Sequence, residues 1–160
     1  MKKWNFSVKN SPEEVSEKLR SVLGRTNRFV FDIKSDKQSP VKFRIRKRVL
    51  LAFELLSQNN VIVDGSAFKT DAEKETDLEI AFNLHPVSKL LLLVHLFLGL
   101  GFLAGVIFEV SSSSDMAIVG GLLIVTGLLF WLHLQKLFKK HVQEYKILIS
   151  EILKSERIPA

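Results

Sequence analysis

The sequence predicts an α+β membrane protein in three parts: a small antiparallel sheet with one N-terminal helix, a two-helix transmembrane hairpin, and a long C-terminal amphipathic helix. Three observations carry this reading. Apolar residues before position 86 recur mostly at every second position; segments 90–108 and 116–134 each run for nineteen residues without a charge; and from Leu134 onward apolar residues return at spacings of three and four. The expected parts are a cytoplasmic α+β domain at 1–86, the hairpin at 87–135, and an amphipathic helix and tail at 136–160. Within the hairpin, helices are expected at about 88–109 and 116–135, joined by a loop at 110–115.

In the first part, Trp4, Phe6 and Val8 alternate with polar neighbours, as do Phe29, Phe31 and Ile33, then Val41, Phe43 and Ile45, and finally Leu78, Ile80, Phe82 and Leu84. This period of two puts one row of side chains on one sheet face. The run 61–68 reads as a further strand, 49–56 as either a buried strand or a short helix, and "TDAEKE" as the turn joining the last two strands. Between the first two strands, "NSPEEVSEKLRSVLG" carries helix signals in order. Ser11 can cap, Pro12 suits the first helical position, Glu13 and Glu14 complement the positive end of the helix, and Gly24 fits just past its finish. Val15, Leu19, Val22 and Leu23 form its apolar stripe.

The two uncharged segments are apolar on every face, whereas a helix on the surface of a soluble domain keeps a polar side. At 1.5 Å per residue, about 20 residues cross a hydrocarbon core of about 30 Å. The first segment begins ninety residues in, and "MKKWNFSVKN" is too polar for a targeting segment, so the hairpin is expected to persist as an anchor. The linker "EVSSSSD" holds two acids and no base, while all 23 Lys and Arg residues lie before or after the apolar pair. By the positive-inside rule both termini face the cytoplasm. Beyond the hairpin, Leu134, Leu137, Phe138, Val142, Tyr145, Leu148, Ile149 and Ile152 make one apolar face of a continuing helix, expected both to return onto the sheet and to pair with a copy of itself.

Three groups of residues are candidates for function. Gly99, Gly101 and Gly105 are expected to face Gly120, Gly121 and Gly127 across the hairpin, and Gly101-x-x-x-Gly105 has the spacing that lets helix backbones approach closely. These glycines either pack the hairpin on itself or dock a partner. Lys42, Arg44, Arg46 and Arg48 fall on one strand face, so they are either a solvated surface or a site for anionic lipid or an acidic partner. Nucleic acid is not expected, because the domain's acids dilute the field and no aromatic platform accompanies the patch. The histidines, His85, His95, His133 and His141, all fall toward the inner leaflet, and an ionisable group within an apolar span is a candidate site. No His-x3-His pair or carboxylate accompanies them, and neither a metal nor another cofactor is expected.

Catalytic signatures are missing from the sequence. There is no glycine-rich phosphate loop and no Gly-x-Ser-x-Gly elbow, and Asp71, Glu73, Glu75, Asp77 and Glu79 read as a turn followed by an exposed strand face. The absence of cysteine removes disulfides and cysteine-held zinc or iron–sulfur centres.

The order of a strand-rich domain ending in "TDLEIAFNLHP" and followed at once by paired apolar helices resembles a group of small bacterial membrane proteins. In that group a strand with a central glycine precedes a strand that starts with Thr and ends in His-Pro. The matching residues here are Gly65, Thr76, Leu84, His85 and Pro86, and the resemblance spans 29–108. It implies the architecture, and it implies no chemistry. Together these readings lead to the expectation of a non-catalytic accessory protein of a bacterial inner membrane, in contact with lipids and with another membrane protein or a second copy. The alternative expectation is a membrane-anchored sensor that couples a small ligand in the α+β domain to the helices.

Overall fold

The computed structural model describes residues 2–26, 28–34, 40–48, 60–69, 75–108 and 114–154. They form β1 (Lys2–Val8), α1 (Pro12–Arg25), β2 (Phe29–Lys34), β3 (Val41–Lys47), β4 (Val61–Lys69), β5 (Thr76–Leu84), α2 (Pro86–Ile107) and α3 (Ser114–Lys154). The expected run at 49–56, most of the "TDAEKE" turn and the serines Ser111 to Ser113 lie outside the described residues.

The strands make one antiparallel sheet in the order β1-β5-β4-β3-β2, so the first strand pairs with the last. The period-two pattern does what it predicts. Val41, Phe43, Ile45, Val61, Val63, Ala67, Leu78, Ile80 and Phe82 are buried on one face, with Trp4, Phe6, Phe31 and Ile33 partly buried beside them. Gly65 is opposite Phe43 in the register, and a Cβ on it would lie 2.1 Å from the Phe43 ring. The missing side chain is the space that ring occupies.

Helix α1 begins with a capping box: the Ser11 hydroxyl accepts from the Glu14 amide at 3.2 Å, and the Glu14 carboxylate accepts from the Ser11 amide at 3.2 Å. Two expectations about this helix need correction. Gly24 does not follow the helix but lies in its last turn, because Thr26 closes it instead, donating its hydroxyl to the Leu23 carbonyl at 2.9 Å. Val22 is 46% exposed. The buried stripe is Val15, Leu19 and Leu23, whose spacing of four keeps them on one face.

The C-terminal helix continues from the second apolar segment, as its apolar spacing predicts. Helix α3 runs unbroken for 41 residues, about 60 Å at 1.5 Å per residue. Its first half packs antiparallel on α2, and its second half buries Val142, Tyr145, Ile149 and Leu153 in the same core as the sheet and α1. The described residues from 136 to 154 therefore form the third wall of the α+β core, as the return of their apolar face predicts. One short helix does not cover five strands.

Helix α2 and the first half of α3 are long and apolar enough to cross a membrane. Little of either is covered by the rest of the described chain: Phe97 is 72% exposed and Leu129 61%. A soluble bundle would bury such residues.

Candidate interaction surfaces

The sheet joins the apolar hairpin through Asn60, the residue before β4. Asn60 is fully buried, and three bonds converge on it. Its backbone carbonyl accepts from the His85 amide at 2.8 Å, its Nδ2 donates to the Leu134 carbonyl at 3.4 Å, and its Oδ1 is 2.7 Å from His141 Nδ1. With Nδ2 committed as a donor, Oδ1 must accept, so the Nδ1 of His141 carries the proton. One side chain thus fastens α3 at two positions two turns apart, while its backbone fastens the start of α2. Nothing in the local sequence flags it: "QNNV" reads as loop, and the partner lies 81 residues on.

Burial holds the His141 imidazole below its ordinary pKa, with nearby Lys47 and Lys140 acting in the same direction and Glu144 opposing. His85 is also lowered, by burial and then by Arg46. It caps α2, its Nδ1 accepting from the Val87 amide at 3.3 Å. His95 is bonded to its own helix, Nδ1 to the Leu91 carbonyl at 2.8 Å, and stacks on Phe130; His133 is exposed. His85 and His141 thus both bond to Asn60, whereas His95 and His133 lie along the apolar helices. Among the described residues no three His, Asp or Glu side chains come together in a metal-holding arrangement.

Lys42, Arg44 and Arg46 lie exposed on the outer sheet face, in the row the alternation predicts, and Arg48 is exposed just past the end of β3. They are not a bare cationic stripe. In the register Arg44 stands between Asp32 and Asp64, and its Nε is 2.6 Å from the Asp64 carboxylate, which also accepts from Asn83. Arg46 reaches Asp32 at 3.8 Å. Neighbouring strands supply these acids, so the charge run in β3 alone overstates the field. Of the acids read as a turn and strand face, Asp77 accepts from Ser7 and Glu79 pairs with Lys3 at 2.7 Å, both across to β1. Asp71 and Glu73 lie outside the described residues.

The glycines divide into two sets. A Cβ on Gly99 would lie 2.7 Å from Ile124 and 3.1 Å from the Gly120 carbonyl; one on Gly120 would lie 3.0 Å from the Gly99 carbonyl; and one on Gly127 would lie 3.3 Å from His95. These three form the contact line of the hairpin. Gly101 and Gly121 have open space around them, and Gly105 only meets Met116 at 3.9 Å. The expectation that all six face one another is therefore corrected. Gly101 is two residues from Gly99, about 200° around the helix, and so points away from α3.

Two clefts lined by described residues are open grooves. One of about 690 Å³ runs along α1 beside Glu13, Glu17, Arg20 and Ile33, and one of about 240 Å³ lies between Phe29, Lys47, Glu144, Tyr145 and Leu148. Burial raises the Tyr145 hydroxyl above its ordinary pKa, Glu144 adding to the effect, so it stays protonated at neutral pH. Comparison of the chain with known protein families, with curated proteins and with solved structures finds no match.

Proposed function

We propose that this protein is a non-catalytic accessory subunit of a bacterial inner membrane, anchored by α2 and the first half of α3, with both termini in the cytoplasm. The observation that carries this reading is the division of the glycines. Gly99, Gly120 and Gly127 are used up in the hairpin, whereas Gly101 and Gly121 leave small-residue surface facing outward. In lipid there is no hydrophobic force between helices, and association depends on close approach at such residues. The outward glycines suit a helix of another membrane protein or of a second copy.

Purification of the intact chain in mild detergent tests this, with Gly101→Ile as the comparison. A stoichiometric membrane partner or self-dimer that Gly101→Ile removes, at unchanged melting temperature, is the expected result. A solitary monomer in both cases overturns the subunit reading. Reporters fused at each terminus should report cytoplasm, and one inserted at Ser111 to Ser114 should report the outside; a periplasmic terminus reverses the topology.

The continuity of α3 favours a second reading, a sensor, because one unbroken helix carries any displacement of the sheet into the membrane. It requires a small molecule that raises the melting temperature of the purified chain, and a solitary monomer would favour it.

A further inference from the structure

At one end of the sheet the exposed bases stand in cross-strand rows that hold no acid. The strand end from which α2 departs is formed by two cross-strand rows, Phe29 with Lys47 beside Val61 with Leu84, and Val30 with Arg46 beside Ile62 with Asn83. Neither row contains an acid. Just beyond them Arg48 donates its amide to the Arg28 carbonyl at 2.7 Å, bringing those two residues together at the same end. The helices add exposed Lys89 in the first turn of α2 and exposed Lys136 and Lys139 immediately after the apolar half of α3. The opposite end mixes the two signs: Lys42 and Lys69 stand there with Glu75 and Asp77, and Glu13 and Glu14 in the first turn of α1 lie beside it, since Thr76 bonds to the Asn10 carbonyl.

We propose that Arg28, Arg48, Lys89, Lys136 and Lys139 form a collar that binds the head groups of anionic phospholipids at the level where α2 and α3 enter the bilayer. The occupant follows from placement and charge. A ring of bases at the end of two lipid-length apolar helices stands at head-group height, and each base there acts on a negatively charged leaflet within a Debye length. The position of Lys42 sharpens the assignment. It lies six residues along β3 from Arg48, about 20 Å at the rise of a strand. That is roughly two Debye lengths at physiological salt, so Lys42 is outside the collar, and Arg44 is engaged with Asp64. Only the membrane-facing end of the basic strand takes part.

The inference rests on the reading of α2 and α3 as membrane spans, and the test separates the two. Trp131 lies partly exposed on α3, five residues before Lys136. In a Trp4→Phe background it is the only tryptophan. The full chain is reconstituted in vesicles of phosphatidylcholine and phosphatidylglycerol at equal mole fraction, with one or the other lipid brominated near the head-group end of its chains. Quenching by either lipid reports insertion; quenching by neither sinks the spans and the collar together. At low salt, brominated phosphatidylglycerol should show at least a roughly fivefold preference at Trp131, the equivalent of one base acting at the surface. High salt should abolish that preference without any substitution. Combined Arg28→Gln, Arg48→Gln, Lys136→Gln and Lys139→Gln should abolish it at low salt, whereas Lys9→Gln with Lys69→Gln, at the far end of the sheet, should leave it in place. Equal quenching by the two lipids in the wild-type chain, or a preference that survives the fourfold change, overturns the collar while leaving the spans intact.

Discussion

Asn60 and His141 meet through a 2.7 Å hydrogen bond at the point where the sheet, α2 and α3 come together, and both side chains are buried. A buried amide that serves as donor and acceptor at once is satisfied only while both partners stay in place. The junction therefore depends on the protonation and position of a single imidazole.

The pH dependence follows in sign from that environment. The folded pKa of His141 is lowered, so the unfolded chain binds more protons between the two pKa values, and stability rises with pH across that window. The contribution is complete above the unfolded value of about 6.5 and is lost as pH falls toward the folded value. Melting in detergent should show a decline below about pH 6.5, and His141→Gln should flatten it. His85, lowered as well, contributes in the same direction and leaves a residual slope.

Removing the imidazole leaves the Asn60 carbonyl oxygen buried without a donor. His141→Ala should destabilise the chain at neutral pH by about 1–3 kcal/mol, with His141→Gln closer to wild type. Denaturant titration of the purified chain reads the difference.

Gly65→Ala forces a methyl group into the ring of Phe43. Overpacking of this kind costs about 1–3 kcal/mol. Phe43→Leu placed on top should recover part of the loss, whereas Phe43→Leu alone should be destabilising, a reversal that a double-mutant cycle measures directly.

Ile149 is fully buried against the sheet although it lies in the sequence beyond both apolar segments. Ile149→Ala should cost about 2–5 kcal/mol, in the same range as Leu19→Ala in α1. A small effect of Ile149→Ala beside a large one of Leu19→Ala would show that the second half of α3 is not part of the core.

The contact line of the hairpin should be sensitive at Gly99 and Gly120 and indifferent at Gly101. Isoleucine at either of the first two must push α2 and α3 apart, lowering the melting temperature in detergent. Gly101→Ile should leave it unchanged, because nothing lies within 4 Å of its Cβ position.

How far the sequence reveals these features depends on the range over which each is determined. Strand faces and the α1 stripe follow from local periodicity, and Val41, Phe43 and Ile45 are buried where alternation puts them. The continuation of α3 is legible too, since the apolar face from Leu134 needs a cover. Long-range pairings are not. That Asp32 and Asp64 flank Arg44 depends on strand order, which periodicity leaves open, and so the basic strand reads as more cationic than it is. Gly101 and Gly99 are equally good glycines in the sequence; which of them meets α3 is settled by the rotation of α2, fixed where Pro86 and His85 start it.

The pairing of β1 with β5, and the closure of the core by α3, also fix the order in which the protein can be made. Lys2 must wait for Phe82 before it has a strand partner, and the part of the sheet's inner face that α1 does not cover stays open until Val142, Tyr145 and Ile149 have been synthesised. On the membrane reading, the apolar hairpin leaves the ribosome before those residues do. At about 5–20 residues per second, β1 exists for several seconds without its neighbour. On that reading insertion into the bilayer precedes folding of the sheet domain, and a nascent chain that misses the membrane has α3's apolar half exposed in water when its other half should be completing the core. On the same reading the folded domain is a record of successful insertion.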